Sequence, residues 1–141
     1  MNELGIIVDA NQLIGALLGG RALDIIYSER FHFFTIERKT WEVKRYIPFI
    51  ASKTGVTEEN ILRAFELFPV VACQDTFFND HIPRAFELIG ARDPTDVDLL
   101  ALALRLQYPV WSHDQDFLNL KVVEVITTEE LLAHLASEGT S

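Results

Sequence analysis

Basic residues and cysteines are scarce in this sequence, and both shortages limit what the protein can be. The chain has 12 Lys and Arg against 21 Asp and Glu, a formal net charge of −9. A uniformly acidic surface repels nucleic acid and anionic membranes, so a polyanionic ligand would need a metal ion or a local basic patch. The single cysteine, Cys73, cannot form an internal disulfide, so a reducing, cytoplasmic compartment is expected.

Long apolar segments and linkers are also absent from the sequence. No run of residues is apolar for long enough to span a bilayer. The opening "MNELGIIVDA" lacks the basic start of a secretory signal and reaches Asp9 too early. No repeat, low-complexity tract or stretch rich in Pro, Gly and Ser divides the 141 residues. The sequence therefore predicts a single domain over residues 1–141, without a membrane segment.

Short apolar runs alternate with segments of helical periodicity along the chain. The runs predicted as strands are 4–9, 31–36, 69–73, 108–113 and 121–126. The segments between them are predicted as helices, with stops at Gly19, Gly20 and Gly90, a break at Pro48, and caps at Thr57 and Thr127. This alternation predicts right-handed crossovers and a parallel sheet with helices on both faces, which is an α/β fold.

Acidic residues fall where the strands of this sheet end. Asp9 ends the first strand, while Asp114 and Asp116 follow the fourth. Asp96 begins the helix that leads into the fourth strand, and Glu42 lies early in the helix after the second. Since sites in parallel sheets form beyond the carboxyl ends of the strands, these acids are expected to share one edge.

Carboxylates gathered in this way need a positive partner. Two of them about 4 Å apart repel by roughly 4 kcal/mol at an effective dielectric of 20. No cluster of His or Cys accompanies the acids, so Mg²⁺ or Mn²⁺, which prefer oxygen ligands, fit best. The reaction class that suits such a site is metal-assisted hydrolysis of phosphodiester bonds.

Four stretches resemble, in order and spacing, the acidic motifs of the PIN-domain nucleases: "IIVDANQLIGALL", "TWEVKR", "RDPTDVDLLALAL" and "WSHDQDF". The resemblance covers about residues 5–130. It implies a three-layer α/β/α sandwich with a central, mainly parallel sheet of four to five strands. It also implies an endoribonuclease that uses Mg²⁺ or Mn²⁺ and leaves a 5′-phosphate and a 3′-hydroxyl. Many such proteins are toxins of toxin–antitoxin pairs and frequently dimeric, so an antitoxin partner and a homodimer are implied as well.

The resemblance also assigns the site residues position by position. It implies four catalytic acids: Asp9, Glu42, Asp96 and Asp114. With Asp116 as an accessory acid, the expected metal ligands are Asp9, Asp96, Asp114 and Asp116. Asn11 matches the polar residue that accompanies the first acid, and Ser112 the hydroxyl residue before the fourth, so both are expected on the substrate side.

The densest basic cluster of the chain lies beside the second motif and comprises Arg38, Lys39, Lys44 and Arg45. Such runs are usually solvated helix faces. On an acidic protein, next to a metal site, they are also the best candidates for phosphate contacts, with Lys44 and Arg45 foremost.

Simpler interpretations of the acids stay open at this point. Glu37 lies closer to the second strand than Glu42 and is an alternative second acid. Asp96 has a place as a helix N-cap whatever the function, and Asp98 suits the first helical turn. Asp93 before Pro94 is interpreted as a turn pair only.

Two rival functions are also open. The first is a PIN-like scaffold that no longer cleaves and acts by binding protein or RNA. The second is a phosphoacceptor domain like a response-regulator receiver, which is also doubly wound. A receiver needs a lysine after its last strand, whereas Lys121 precedes the last strand here, which argues against it.

Overall fold

A single parallel sheet organises the protein. The computed structural model describes residues 4–139, apart from the side chains of residues 115, 116, 138 and 139. The strands are β1 (Leu4–Val8), β2 (Phe31–Ile36), β3 (Val70–Cys73), β4 (Val110–Trp111) and β5 (Val125–Ile126). Their order in the sheet is β3-β2-β1-β4-β5, and every neighbouring pair is parallel.

The helices connect these strands and follow the last one. They are α1 (Ala10–Leu17), α2 (Arg21–Ile26), α3 (Glu37–Arg45), α4 (Ile47–Thr54), α5 (Glu58–Glu66), α6 (Asp75–Phe78), α7 (Ile82–Ile89), α8 (Val97–Leu106), α9 (Gln115–Leu118) and α10 (Thr128–Gly139). Short 3-10 turns cover residues 79–81 and 94–96. No helix among residues 4–139 combines the length and the apolar character needed to cross a bilayer.

Several helix boundaries lie where the sequence predicts them. Gly19 has a positive φ of 86° just after α1, which suits a residue without a side chain. Oγ1 of Thr57 accepts a hydrogen bond from the Asn60 amide and caps α5. Thr127 and Glu130 each accept a hydrogen bond from the other's backbone amide at the start of α10, which is the predicted capping box.

The two sheet faces carry separate apolar cores, because successive residues of a strand point to opposite sides. Ile6 and Val8 face a core formed with α1, α2 and α10, whereas Ile7 faces a core formed mainly with α7 and α8. This arrangement confirms the predicted three-layer α/β/α fold with a parallel sheet of five strands.

The strand order determines where a site can form. The chain proceeds from β1 through β2 to β3 on one side of the sheet, and places β4 and β5 on the other side of β1. A crevice opens beyond the carboxyl ends of β1 and β4 at such a reversal, and ligands of open α/β sheets bind there. Asp9 directly follows β1, and Ser112 directly follows β4.

Candidate active site

Buried polar side chains are gathered near this crevice. The described residues with a buried polar or charged side chain are Asp9, Gln12, Thr35, Lys39, Asp96 and Ser112. A buried polar group is more informative than an exposed apolar one, because its burial must be compensated. Asp9 and Ser112 directly follow β1 and β4, Thr35 lies near the end of β2, and Gln12 and Lys39 lie in the helices that follow β1 and β2. Asp96 lies in the 3-10 turn before α8. Their burial indicates that the candidate functional site lies at the carboxyl edge of the sheet.

The ends of β1 and β2 are fixed by side-chain contacts to the backbone. The carboxylate of Asp9 accepts a hydrogen bond of 2.7 Å from the Ala10 amide and caps α1. The hydroxyl of Thr35, which is fully buried, donates to the carbonyl oxygen of Val8 over 2.8 Å. Asp9 therefore has both roles considered for it: it is a helix cap, and it stands at the mouth of the crevice.

Lys39 lies at the centre of the predicted acids. Its side-chain nitrogen Nζ is 2.7 Å from Oδ1 of Asp96, 3.4 Å from Oε2 of Glu42 and 3.5 Å from Oδ1 of Asp9. Only 3% of Lys39 is exposed. We call these four residues the Lys39 cluster. The expectation that Lys39 contacts phosphate with the neighbouring basic residues is therefore wrong, because its ammonium group is buried among carboxylates.

The ionisation of the cluster follows from this geometry. Burial by itself would lower the pKa of Lys39, but Asp9, Asp96 and Glu42 together raise that pKa above its ordinary value. Lys39 is therefore a permanent cation. Burial also raises the pKa of Asp96; Lys39 opposes the rise, while Asp9 and a hydrogen bond with Asp93 add to it.

Asp96 occupies the N-cap position of α8 but does not act as a cap. Its carboxylate makes no capping hydrogen bond to the described amides of that helix; instead it accepts from Lys39. The prediction that this side chain caps α8 is therefore wrong, whereas the prediction that it faces the site agrees with its contact to Lys39. Asp98, in the first turn, pairs with Arg38 at 3.5 Å, in keeping with its structural interpretation.

A second group of carboxylates shares Asp96 with the Lys39 cluster. Asp93, Asp96 and Asp114 each offer an oxygen, and these oxygens lie within 4.8 Å of one another. We call these three residues the open acid group, because Asp93 and Asp114 are half-buried rather than enclosed. The interpretation of Asp93 as a turn residue only is therefore incomplete: it accepts a hydrogen bond from Thr95 and also joins this group.

The turn after β4 presents Asp114. Ser112 is 1% exposed, and its hydroxyl oxygen accepts a hydrogen bond of 3.0 Å from the Asp114 amide. Ser112 thus orients the acid two residues later. Thr128, at the start of α10, contacts the same turn from the other side. Its hydroxyl oxygen Oγ1 lies 3.0 Å from Nε1 of Trp111 and 3.3 Å from Nε2 of His113. The side chain of Asp116 lies outside the described residues.

The structure brings Glu42, and not Glu37, to the described acids. Glu42 is three residues after Lys39 on α3 and pairs with it, whereas the Glu37 side chain is exposed at the first turn of that helix. Residues three apart on a helix lie on one face, which explains why Lys39 and Glu42 reach the crevice together.

The remaining predicted contact residues lie outside the two acid groups. Asn11 is exposed on α1 and lines a small groove of about 200 Å³ with Arg21 and Thr128. Arg45 is exposed on α3. Lys44 is also exposed, and lines another groove of about 190 Å³ with Phe65 and others.

Sequence reasoning missed the roles of Lys39 and Gln12. Lys39 is four residues before Val43, which is fully buried, so the spacing alone placed it on the inward face of α3. Gln12 is 7% exposed, and its Oε1 has no hydrogen-bond partner among the described residues. It lines the same groove as Asn11 and offers a polar contact there.

The open acid group fits a divalent cation. Its ligands are carboxylate oxygens, which Mg²⁺ and Mn²⁺ prefer over Zn²⁺-type nitrogen and sulfur sets. Asp93, Asp96 and Asp114 each offer one such oxygen, and the three oxygens already lie within 4.8 Å of one another. In the Lys39 cluster, by contrast, an ammonium group already holds the position between the carboxylates.

Comparison with known protein families gives a match over almost the whole chain. The sequence model of the PIN domain matches residues 7–136, a range that contains every member of the Lys39 cluster and of the open acid group. Among curated proteins, none matches the chain significantly.

Proposed function

This chain belongs to the PIN-domain family, and on that premise we propose that it is an endoribonuclease dependent on Mg²⁺ or Mn²⁺. The family indicates a nuclease, and PIN domains generally use a divalent metal. The observation that carries the proposal is the convergence of Asp93, Asp96 and Asp114 beyond the carboxyl ends of the strands. RNA as the substrate, and the identity of the ion, are the parts that the experiment below tests.

Different residues of the chain would have different roles in phosphodiester hydrolysis. Asp93, Asp96 and Asp114 would hold the ion, with Ser112 orienting Asp114. A divalent ion bound there would activate water and offset charge on the reacting phosphate. Lys39 pairs with the other side of Asp96 and is itself paired with Asp9, which would hold the Asp96 carboxylate towards the crevice. A preorganised carboxylate avoids reorganisation at the moment of reaction.

Contacts to the rest of the RNA would come from helices α1 and α3. Arg45 and Lys44 are exposed on α3 and are the proposed phosphate contacts. Asn11 and Gln12 line a groove at the start of α1 and are the proposed polar contacts to sugar or base. The protein's negative charge makes such cations necessary, because a polyanion is otherwise repelled. Alanine at both Lys44 and Arg45 should weaken RNA binding and its dependence on salt.

The wider biological proposal is that the chain is the toxin of a toxin–antitoxin pair and forms a homodimer. Its support is the family relation, together with exposed aromatic side chains on α3 and α4: Trp41, Tyr46 and Phe49 are 67%, 53% and 46% exposed. Clusters of exposed apolar side chains commonly mark protein contacts. Light scattering of the purified protein, with and without substitution of Trp41 by Ser, tests the dimer.

The first experiment is cleavage of a mixed pool of labelled RNAs by the purified protein, with Mn²⁺, with Mg²⁺ and with EDTA. We expect cleavage in the presence of the metals, none in EDTA, and loss of cleavage in Asp96→Asn. Cleavage by Asp96→Asn at the rate of the parent would contradict the assignment of this acid. Products with a 5′-phosphate are expected, and end-labelling reveals them.

A second candidate function is favoured by one specific observation. The ammonium group of Lys39 occupies the space between Asp9, Glu42 and Asp96. A scaffold that no longer cleaves has no need to keep this space free for a metal ion, so the occupied space favours such a scaffold. Such a protein would bind RNA or another protein without cleaving. It would show RNA binding in EDTA and no cleavage with either metal, which separates the two functions.

A further inference from the structure

The Lys39 cluster has the form of a cation site that the chain fills by itself. An ammonium group has three N–H donors and no acceptor, and three carboxylates from three separate elements surround it: Asp9 after β1, Glu42 on α3 and Asp96 before α8. Asp9 and Asp96 belong to segments distant in sequence from α3, which carries Lys39 and Glu42, so the arrangement is a product of the fold. Nothing in a local helix rule requires a buried lysine at position 39.

The open acid group lies on the other side of Asp96 and is different in composition. It draws on Asp93 and Asp114, which are half-buried, and its oxygens lie within 4.8 Å of one another. The Lys39 ammonium already pairs with Asp9, Glu42 and Asp96. Asp93 and Asp114 bring two further carboxylates to the opposite group, which shares Asp96.

We propose that Lys39 is a tethered replacement for one metal ion, so that the chain binds a single divalent ion, held by Asp93, Asp96 and Asp114. This inference rests on the proposed function for the identity of the site, and adds how many ions the site takes and why. The Lys39 ammonium supplies one positive centre permanently. The divalent ion supplies the other and is the only one of the two that a chelator can remove.

Exclusion of a second ion follows from charge and from space. A divalent ion placed between Asp9, Glu42 and Asp96 would lie against the Lys39 ammonium, which is buried and pairs with all three carboxylates. Like charges at such separations repel strongly in a site of low dielectric. Removal of the lysine charge should open the position, since its three carboxylates would remain.

The test counts bound ions without RNA. Protein freed of metal with EDTA and dialysed is titrated with Mn²⁺ by calorimetry, and free Mn²⁺ is followed in parallel by electron paramagnetic resonance. We expect one ion per chain for the parent, two for Lys39→Met, and one for Lys39→Arg, which keeps the charge. Lys44→Met, a lysine removed from the exposed face of the same helix, is the matched control and should bind one ion. Asp93→Asn should weaken the single parent site about tenfold.

Two ions per chain in the parent, or one in a folded Lys39→Met, would overturn the proposal. Thermal melting in Mn²⁺ checks the folding of that variant, and we expect its midpoint to rise with Mn²⁺ by several degrees more than that of the parent, because binding to two sites stabilises more than binding to one. If Lys39→Met does not fold, the counts for the parent and for Lys39→Arg still decide, since either count of two contradicts the proposal.

The outcome is separable from that of the proposed function. Counts of one for the parent and two for Lys39→Met, with no RNA cleaved, would keep the tethered cation and reject the ribonuclease. Two ions in the parent, together with metal-dependent cleavage, would reject the tethered cation and keep the ribonuclease. No bound ion in the parent would overturn the inference and remove the metal on which the proposed function depends.

Discussion

The Lys39 cluster and the open acid group share Asp96 and differ in how their negative charge is balanced. In the first, a lysine 3% exposed lies 2.7–3.5 Å from three carboxylates. In the second, three half-buried or buried carboxylates lie with their oxygens within 4.8 Å of one another. A positive group that is part of the chain is always present and needs no ion from solution, whereas the open acid group depends on what the solution supplies.

This difference explains how the site keeps its shape without metal. Carboxylates in a buried cluster repel one another and tend to take up protons or move apart. Lys39 opposes both tendencies on one side of Asp96, which favours a formed site before any ion arrives. The open acid group can then be devoted to binding an exchangeable ion.

The largest effect is expected from Lys39→Met, which leaves three carboxylates without their cation. Removal of one partner of a buried ionic network typically lowers the free energy of unfolding by about 3–5 kcal/mol. Urea unfolding in EDTA, followed by circular dichroism, measures the loss. Lys44→Met, on an exposed position of α3, should change the same quantity by less than about 0.5 kcal/mol. Equal free energies of unfolding for the two variants would mean that the Lys39 ammonium does not stabilise the three carboxylates around it.

Asp96 belongs to both groups, so Asp96→Asn should impair the Lys39 cluster and the open acid group together. We expect RNA cleavage to fall by about 100-fold or more, because even outer partners of a metal site contribute up to that much. The amide oxygen of Asn can still accept from Lys39, so the free energy of unfolding should fall by only about 1–2 kcal/mol. Single-turnover cleavage of the RNA pool is the measurement. Asp98→Asn, in the next turn and paired with Arg38, is the control and should cleave like the parent.

Asp93→Asn and Glu42→Gln sharpen the comparison, since each alters one group only. We expect Asp93→Asn to weaken Mn²⁺ binding about tenfold, and Glu42→Gln to change it by less than about threefold, because Glu42 pairs with Lys39 rather than with the open acid group. Calorimetric titration with Mn²⁺ gives both affinities. The reverse order of effects would show that the exchangeable ion lies on the Glu42 side.

The smallest effect is expected from Ser112→Ala, which removes the acceptor for the Asp114 amide. The loss of one such hydrogen bond amounts to about 1 kcal/mol of stability, and Mn²⁺ affinity should fall by no more than roughly fivefold. Ser52→Ala removes a hydroxyl that donates within α4 and should leave Mn²⁺ affinity unchanged. An unaltered affinity in Ser112→Ala would mean that Asp114 needs no support from this turn.

Much of the fold could be predicted because local patterns and tertiary packing agree. The apolar run 31–36 coincides with β2 to the residue, and the helix expected to begin at Asp96 starts at Val97, with Asp96 at its N-cap position. The fourth and fifth strands are shorter than predicted: β4 and β5 pair over two residues each, where the runs 108–113 and 121–126 suggested six. Strand length depends on what the neighbouring strand offers, and that is a long-range property.

The candidate site was only partly visible in the sequence. The acids at strand ends could be placed, because parallel strands end at a common edge. The burial of Lys39 was missed, because it stands in a run of basic residues that resembles a solvated helix face; only its spacing from Val43 indicated the inward face of α3. Aromatic side chains show the same limit: Phe86, at a helical spacing typical of a core, is 59% exposed. Whether a side chain faces a partner depends on elements distant in sequence.

The position of β1 in the middle of the sheet has a consequence for the order in which the protein becomes active. Ile7 of β1 pairs with Val110 of β4, so the central strand waits for a partner that is synthesised much later than itself. Such long-range pairings slow folding. Asp9, Lys39 and Glu42 are synthesised before Asp96 and Asp114 and already include their own counter-charge. A chain that cleaves RNA would thus remain harmless to its own messenger until Asp114 has been synthesised and β4 has paired.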